Sequence, residues 1–245
     1  MPTRLVSVII EATDIAAQAR WWSDALGWPI TYEDDDEVEI QPEGNDGRDA
    51  VPSIEFVAVT VPKTVKNRIH LDLGCDSPEH QLEIVDRLLA AGATRADVGQ
   101  GEAPWVVLAD PEGNEFCVLE DRPHHRGRGP LASIVVDVED TATIARFWSE
   151  AAGWPIGYDA NGVVSLHHPA GKLPDLDFVP VPEAKSVKGR VHLDVAPFAD
   201  DPQAAEVDRL TALGAVPADV GQGPDVSWVV LADPEGNEFC VLSSR

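Results

Sequence analysis

The chain has 245 residues, with 43 acidic and 18 basic side chains and a formal net charge of −25. This charge repels phosphate backbones and anionic lipids, so we expect neither nucleic acid nor a membrane as a partner. Three cysteines without paired metal-type spacing argue against a disulfide framework. The 44% hydrophobic content is typical of a globular protein, and without a recognisable signal peptide or membrane span the expected location is cytoplasmic.

The chain begins with a strand at residues 5–12, where alternation places Ser7, Ile9 and Glu11 on one face. Asp14 then caps a helix that Gly27 ends. Short strands are predicted at residues 28–33, 37–41 and 53–59. The order is that of a β-α-β-β-β unit.

A second unit of the same order opens with a strand at residues 68–73. Ser77 caps its helix, Pro78 takes the first helical position, and Gly92 stops it. Strands at 94–97, 104–109 and 114–119 complete the unit. The last two form a hairpin around the turn Asp110-Pro111-Glu112-Gly113-Asn114, where glycine is free to take a positive φ.

The second half of the chain repeats the first. The run from Trp105 to Leu119 returns letter for letter from Trp228 to Leu242, and His70-Leu71-Asp72 matches His192-Leu193-Asp194. A repeat this long indicates a domain duplication. We predict one domain at residues 1–121, a Gly- and Pro-rich linker at 122–130 whose two histidines are solvated, and a second domain at 131–245.

Paired β-α-β-β-β units, a helix ending in Leu-Gly-Trp, the strand His-Leu-Asp and the closing hairpin resemble the vicinal oxygen chelate superfamily. That superfamily includes glyoxalases, extradiol dioxygenases and bleomycin-resistance proteins. The resemblance implies an α+β fold with tandem duplicated glyoxalase-like domains, each of two βαβββ units forming a cupped mixed β-sheet. It also implies that the two fused domains replace the dimer of single-domain relatives, so that the chain is a monomer or a homodimer.

Metal-using members of the superfamily place ligands on the first, fourth, fifth and eighth strands. The resemblance puts these positions at Ser7 and Ser133, Glu55 and Asp177, His70 and His192, and Cys117 and Cys240. Serine hydroxyls are poor ligands for zinc, nickel or iron, so we expect no metal or other cofactor. A divalent metal stays possible if the strands bring a His-Cys-carboxylate set together. The neighbouring His167 and His168 are expected on the surface.

His70 and His192 share a strand face with Asp72 and Asp194, and a carboxylate can raise the pKa of an imidazole to suit a general base. The alternative is a histidine that only holds the sheet, with Arg68 and Arg190 pairing with these carboxylates instead. Cys117 and Cys240 are expected to be buried structural thiols. Most tryptophans should be core, whereas Trp105 and Trp228 could stack on a planar ligand.

These features predict a protein of the glyoxalase and bleomycin-resistance type that binds a small organic molecule in one or both cups. The alternative is an enzyme of the superfamily, a lyase, isomerase or oxygenase, with a rebuilt metal site or with His70 or His192 as general base. The candidate ligand-binding residues are Ser7, Glu11, Glu55, Asp72, Trp105, Cys117, Ser133, Asp137, Asp177, Asp194, Trp228 and Cys240.

Overall fold

The computed structural model describes residues 3–47, 50–172, 174–223 and 225–245, which form four successive β-α-β-β-β units. The first unit consists of β1 (Arg4–Ala12), α1 (Ile15–Leu26), β2 (Ile30–Glu33), β3 (Glu37–Ile40) and β4 (Ser53–Ala58). The second consists of β5 (Ile69–Leu73), α2 (Pro78–Ala90), β6 (Thr94–Arg95), β7 (Val106–Ala109) and β8 (Glu115–Val118). The third consists of β9 (Leu131–Val138), α3 (Thr141–Ala152), β10 (Ile156–Ala160), β11 (Val163–Leu166) and β12 (Asp175–Pro180). The fourth consists of β13 (Val191–Ala196), α4 (Gln203–Ala212), β14 (Val216–Pro217), β15 (Val229–Ala232) and β16 (Glu238–Val241).

Local sequence sets the ends of the helices. The Asp14 side chain accepts a hydrogen bond from the Ala17 amide at 2.9 Å, and Gly27 ends α1 with a φ of 66°. In α3, Asp140 is the N-cap and Gly153 is the C-cap, as Asp14 and Gly27 are in α1. The predicted bounds of α1 are therefore confirmed. No helix in the described part of the chain is both long enough and apolar enough to cross a membrane.

The strands form two mixed sheets of eight strands each. Sheet 1 has the order β14-β15-β16-β13-β1-β4-β3-β2, and sheet 2 has the order β10-β11-β12-β9-β5-β8-β7-β6. The α+β class and the duplicated units are confirmed. The pairing of units differs from the expectation, because sheet 1 joins the first unit to the fourth and sheet 2 joins the second to the third.

Side-chain packing between a helix and a hairpin joins the two units of each half. Trp22 of α1 lies against Phe116 of β8, with ring centroids 5.2 Å apart, and its indole donates to the Asp110 carboxylate at 3.0 Å. The two units of one half thus stack through a helix and a hairpin. Their inner edges, β1 and β5, remain free to pair with β13 and β9 of the other half.

Each sheet buries one face in the main core and uses the other as a cup. In β1, Val8 and Ile10 belong to the core, while Ser7 and Ile9 lie on the opposite face, directly across from Asp194 and His192. Cup 1 denotes this face of sheet 1. Cup 2 denotes the equivalent face of sheet 2, around His70.

Candidate functional site

Three potential metal ligands converge in each cup. In cup 2 they are His70 and Asp72 on β5 and Cys117 on β8, and in cup 1 they are His192, Asp194 and Cys240. In each group the ligand atoms lie within 4.8 Å of one another. They meet because β5 and β8 pair in parallel with Asp72 opposite Cys117, and a residue two positions before Asp72 faces the same side.

The nitrogen–oxygen separations in these groups suit a shared cation better than hydrogen bonds. His70 Nε2 lies 3.5 Å from Asp72 Oδ1, and His192 Nε2 lies 3.4 Å from Asp194 Oδ1. Cys240 Sγ lies within hydrogen-bond distance of His192 Nε2, at 3.6 Å, since contacts to sulfur are longer. Hydrogen bonds from N–H span about 2.7–3.2 Å. Two ligands of one tetrahedral zinc ion lie about 3.3–3.8 Å apart, given bonds of about 2.0–2.3 Å.

Two buried carboxylate oxygens without hydrogen-bond partners also favour a bound cation. Asp72 Oδ1 and Asp194 Oδ1 are buried and have no hydrogen-bond partner among the residues that the structure describes. Unsatisfied buried oxygens are costly, and a bound cation would satisfy them. The carboxylates of Asp72 and Asp194 also replace the donors that the first-strand serines cannot supply. The donor set therefore fits a divalent metal. Serine at the first-strand position is not an argument against a metal site.

Burial keeps the donors of cup 1 close to neutral. Burial and the Lys188 ammonium lower the pKa of His192 to about 4, so the rise expected from Asp194 does not occur. Burial and the Glu55 carboxylate raise the pKa of Asp194 to about 8, which leaves it largely protonated near pH 7. Burial also raises the pKa of the Cys240 thiol. A metal would therefore have to displace protons from Asp194 and Cys240.

In cup 2 the pKa values of the aspartate and the cysteine are shifted in the same direction. Burial raises the pKa of the Asp72 carboxyl and of the Cys117 thiol. Both cysteines are buried, at 7% exposure, as the apolar strand pattern predicted. What the strand pattern did not predict is that each thiol lies beside a histidine and an aspartate.

The arginines near the cups bind other carboxylates than expected. Arg190 Nη2 lies 3.1 Å from Glu112 Oε2, and Arg68 Nη2 lies 3.8 Å from Glu235 Oε2. Each glutamate belongs to a hairpin turn of the opposite half. The arginines thus link the halves, and the alternative in which they pair with Asp72 and Asp194 is wrong.

The remaining candidate site residues of each cup come from both halves of the chain. Ser7 lies opposite Asp194 and Ser133 opposite Asp72, and both serines are fully buried. The Glu55 charge acts on Asp194. In cup 2 the charge of Asp177 acts on Asp72 in the same way. Glu11 forms an ion pair with Lys188, and Asp137 forms one with Lys66.

A cavity of about 1060 Å³ opens onto cup 2. His70, Asp72 and Cys117 form its polar end, and the apolar part of its lining includes Trp105, Val107 and Leu119. Trp105 therefore has the predicted place at a cleft. Trp228 is 39% exposed and does not contribute to this lining.

Two basic loops also line the cavity, at residues 61–68 and 181–190. These loops were not among the predicted site residues, although Lys63-Thr64-Val65-Lys66-Asn67-Arg68 returns as Lys185-Ser186-Val187-Lys188-Gly189-Arg190. This second repeat was the available signal. The lysines are paired in equivalent ways, with Lys63 Nζ 2.6 Å from Glu115 Oε1 and Lys185 Nζ 2.6 Å from Glu238 Oε1.

Two histidine expectations are wrong. His125 is not solvated, since it is 4% exposed and its Nε2 lies 4.0 Å from Asp175 Oδ2. His168 is not on the surface, since it is 6% exposed and its ring centroid lies 5.1 Å from that of Trp154. Both side chains turn inward because partners from other elements cover them.

Comparison with known proteins places this fold in a family. A family model described as a glyoxalase-like domain matches residues 7–119 and again 133–242. The chain belongs to the glyoxalase-like domain family. Each glyoxalase-like domain therefore supplies one unit to each sheet. A comparison with curated proteins gives no match.

Solved structures share this glyoxalase-like fold. Glyoxalase I from Zea mays is 15% identical with a TM-score of 0.67, over 98% of this chain and 92% of that one. A putative dioxygenase from Bacillus subtilis is 11% identical with a TM-score of 0.67, over 99% of this chain and 86% of that one. At such identities the likeness concerns the fold alone.

Proposed function

We propose that the chain binds a small organic molecule in the cavity above cup 2. The cavity itself carries the proposal, because its volume of about 1060 Å³ is just above the roughly 300–1,000 Å³ found for small-ligand pockets and is large enough for a small organic molecule. An apolar wall with a few convergent polar groups is typical of such pockets. Here Trp105 and Val107 belong to the wall, and His70 and Asp72 form the polar end, while charged side chains of the two loops, such as Arg68 and Arg190, also line the cavity.

The polar end suits a ligand that carries oxygen or nitrogen groups. Asp72 Oδ1 is buried without a hydrogen-bond partner in the described ranges, so a ligand hydroxyl or amine would relieve its desolvation. The imidazole of His70 lies beside it and offers a second polar contact. The indole of Trp105 offers a flat apolar face for a ring.

Ligand binding should quench the emission of Trp105. We expect His70→Ala to weaken binding about tenfold, the effect of losing about 1.4 kcal/mol, because one of the polar contacts disappears. The measurement is a fluorescence titration with a panel of planar, oxygen-bearing compounds, and Trp105→Phe should abolish the signal. His192→Ala, at the matched position of cup 1, should leave the affinity unchanged. Equal losses in the two histidine variants would contradict the assignment to cup 2.

A metal-dependent enzyme is the second candidate, favoured by the convergence of His70, Asp72 and Cys117. These residues would hold the ion in cup 2, and His192, Asp194 and Cys240 would hold one in cup 1. A divalent ion there supplies a Lewis acid that polarises substrate oxygens. The chain's own part would be to position the substrate in the cavity and, with Trp105 and Val107, to exclude water from the reacting groups.

Zinc uptake tests this second candidate. We expect the purified protein to bind up to about two zinc ions per chain, and Cys117→Ala and Cys240→Ala each to remove one of them. The measurement is elemental analysis after incubation with zinc and desalting. Cys75→Ala is the matched control, since this buried thiol donates to the Leu119 carbonyl at 3.3 Å and lies outside both groups. A protein that takes up no zinc would remove the metal-dependent candidate.

A further inference from the structure

The cavity over cup 2 is rich in cations, although the chain as a whole is strongly acidic. Counted over the described residues, seven of the chain's 18 lysines and arginines line this cavity, against five of its 43 aspartates and glutamates. A lining with the average composition of the chain would be mainly acidic. The cavity therefore has the opposite balance of charge to the rest of the molecule.

Most acids of the lining are already held by lysines. Three of them form ion pairs within the lining, namely Glu115 with Lys63, Asp137 with Lys66 and Glu11 with Lys188. Burial raises the pKa of a fourth, Asp72, and so favours its uncharged form. The other four cations of the lining pair with carboxylates that do not line the cavity. A surplus of positive charge therefore faces the cavity.

Two of these cations lie at the polar end of the cavity. The Arg122 charge acts on Asp72, and the Lys66 charge acts on Cys117. Since the ligand atoms of Asp72 and Cys117 lie within 4.8 Å of each other, both cations act on one small region. Both are also partly open, with side-chain exposures of 29% for Arg122 and 40% for Lys66. A ligand at the polar end is therefore within reach of two cations.

Both cations keep N–H groups for a ligand. Arg122 donates to Glu120 through Nε at 2.8 Å and through Nη2 at 3.4 Å, which leaves the N–H groups of Nη1. Lys66 Nζ donates to Asp137 and, at 3.4 Å, to the Asn67 carbonyl, whereas an ammonium group has three donors. An ionised acceptor such as a carboxylate would form charge-assisted hydrogen bonds with either group.

Cup 1 differs at the equivalent arginine. The repeat places Arg245 at the position of Arg122, and in cup 1 this arginine acts on Glu37 of β3. In cup 2, Val163 of β11 takes the place of Glu37. The partner of Arg122 is Glu120, which does not line the cavity. The acid that faces the arginine thus lies on the cup face in cup 1 but outside the cavity in cup 2.

The acidity of the rest of the chain does not outweigh this local surplus. At physiological ionic strength, exposed charges are largely screened beyond about 8 Å. A group inside the cavity meets Lys66 and Arg122 at contact distance and partly away from water, where electrostatic attraction is stronger. The net charge of −25 therefore slows the approach of an anion more than it weakens its binding.

We infer that the ligand of cup 2 is an organic carboxylate, with its acid group on Lys66 and Arg122 and its apolar part against Trp105. The inference rests on the proposed function, since it concerns the same cavity and names the class of its ligand. A carboxylate is flat and accepts two hydrogen bonds from one guanidinium group. The indole of Trp105 suits an aromatic ring attached to that acid group.

Isothermal titration calorimetry tests the inference with three compounds that share one ring system, the anion 2-naphthoate, the neutral 2-naphthamide and the cation 2-naphthylmethylammonium. We expect naphthoate to bind about tenfold more tightly than naphthamide, and the ammonium compound to bind most weakly. Raising the salt concentration from about 50 to about 500 mM should weaken the binding of naphthoate but not that of naphthamide.

Variants separate the two cations from the rest of the chain. Arg122→Gln and Lys66→Gln should each weaken naphthoate binding about tenfold. Their affinity for naphthamide should fall less than about threefold, which shows that the cavity is still folded. Glu120→Gln should strengthen naphthoate binding about threefold, because it releases Arg122. Arg245→Gln, at the matched position of cup 1, and Arg126→Gln, an exposed cation outside the lining, should change neither affinity.

Several outcomes would overturn the inference. They are a failure of naphthoate to bind, equal affinities for naphthoate and naphthamide, tighter binding of the ammonium compound, or equal losses in Arg245→Gln and Arg122→Gln. The Trp105 titration separates the two proposals. If neutral compounds quench Trp105 and naphthoate has no advantage, only the carboxylate assignment falls. If naphthoate binds with the expected variant pattern while Trp105→Phe and His70→Ala leave its affinity unchanged, the contacts assigned to Trp105 and His70 fall instead.

Discussion

Neither half of the chain, residues 1–121 or 122–245, should fold as a stable monomer when it is expressed alone. The central pairings of the sheets, β1 with β13 and β5 with β9, each join the two halves. The main core also draws residues from both halves. Removing one half would leave two four-stranded sheets with open inner edges, whose amide and carbonyl groups are templates for pairing with another chain.

Each half alone should therefore be unfolded or should pair with a second copy of itself. Circular dichroism and light scattering measure both outcomes. Co-expression of the two halves should restore a one-to-one complex with the spectrum of the intact chain. As a control, cleavage within residues 122–130 should leave that spectrum unchanged, since no sheet pairing is lost. A folded, monomeric half would contradict the cross-half pairing.

Asp110→Ala should lower the free energy of unfolding by about 3–5 kcal/mol. Asp110 is 3% exposed and accepts hydrogen bonds from the Trp22 indole at 3.0 Å, the Glu112 amide at 3.0 Å and the Asn114 amide at 2.9 Å. Alanine would leave these donors without an acceptor, and each unsatisfied buried donor costs about 1–3 kcal/mol. The contact that holds α1 to the hairpin of the next unit would be lost with them.

Urea denaturation measures this effect. Asp233→Ala should cost a similar amount, because Asp233 accepts from the Trp148 indole at 3.2 Å and the Asn237 amide at 2.9 Å. The matched control is Asp97→Ala, which removes a single hydrogen bond from the Gly99 amide at 2.9 Å in an exposed turn and should cost less than about 1 kcal/mol. Equal losses for Asp110→Ala and Asp97→Ala would show that the turn carboxylate is not the link between the units.

Much of the fold was predictable because its signals are local. Asp14 and Gly27 mark the ends of α1 through hydrogen bonds and a positive φ within a few residues. The repeat from Trp105 to Leu119 and from Trp228 to Leu242 identifies the duplication without any knowledge of contacts. The burial of His125 was not predictable, since its cover comes from Asp175, fifty residues later in the chain.

The site was predictable as a set of residues but not as an arrangement. Period-two alternation places His70 and Asp72 on one face, and the resemblance to the vicinal oxygen chelate superfamily put Cys117 among the candidates. Neither indicates that Cys117 lies opposite Asp72. Nor does either show that Ser133 of the second half completes the cup of His70.

The sequence by itself determined the β-α-β-β-β units, their helix ends and the residues on each strand face, because these depend on neighbours a few positions away. Tertiary structure alone decided that the first unit pairs with the fourth, that Arg190 binds Glu112 and that Cys240 lies 3.6 Å from His192. The physical reason is that the backbone edges of all strands carry the same amide and carbonyl groups. Which edges meet is decided by how the helices and hairpins of the whole chain pack.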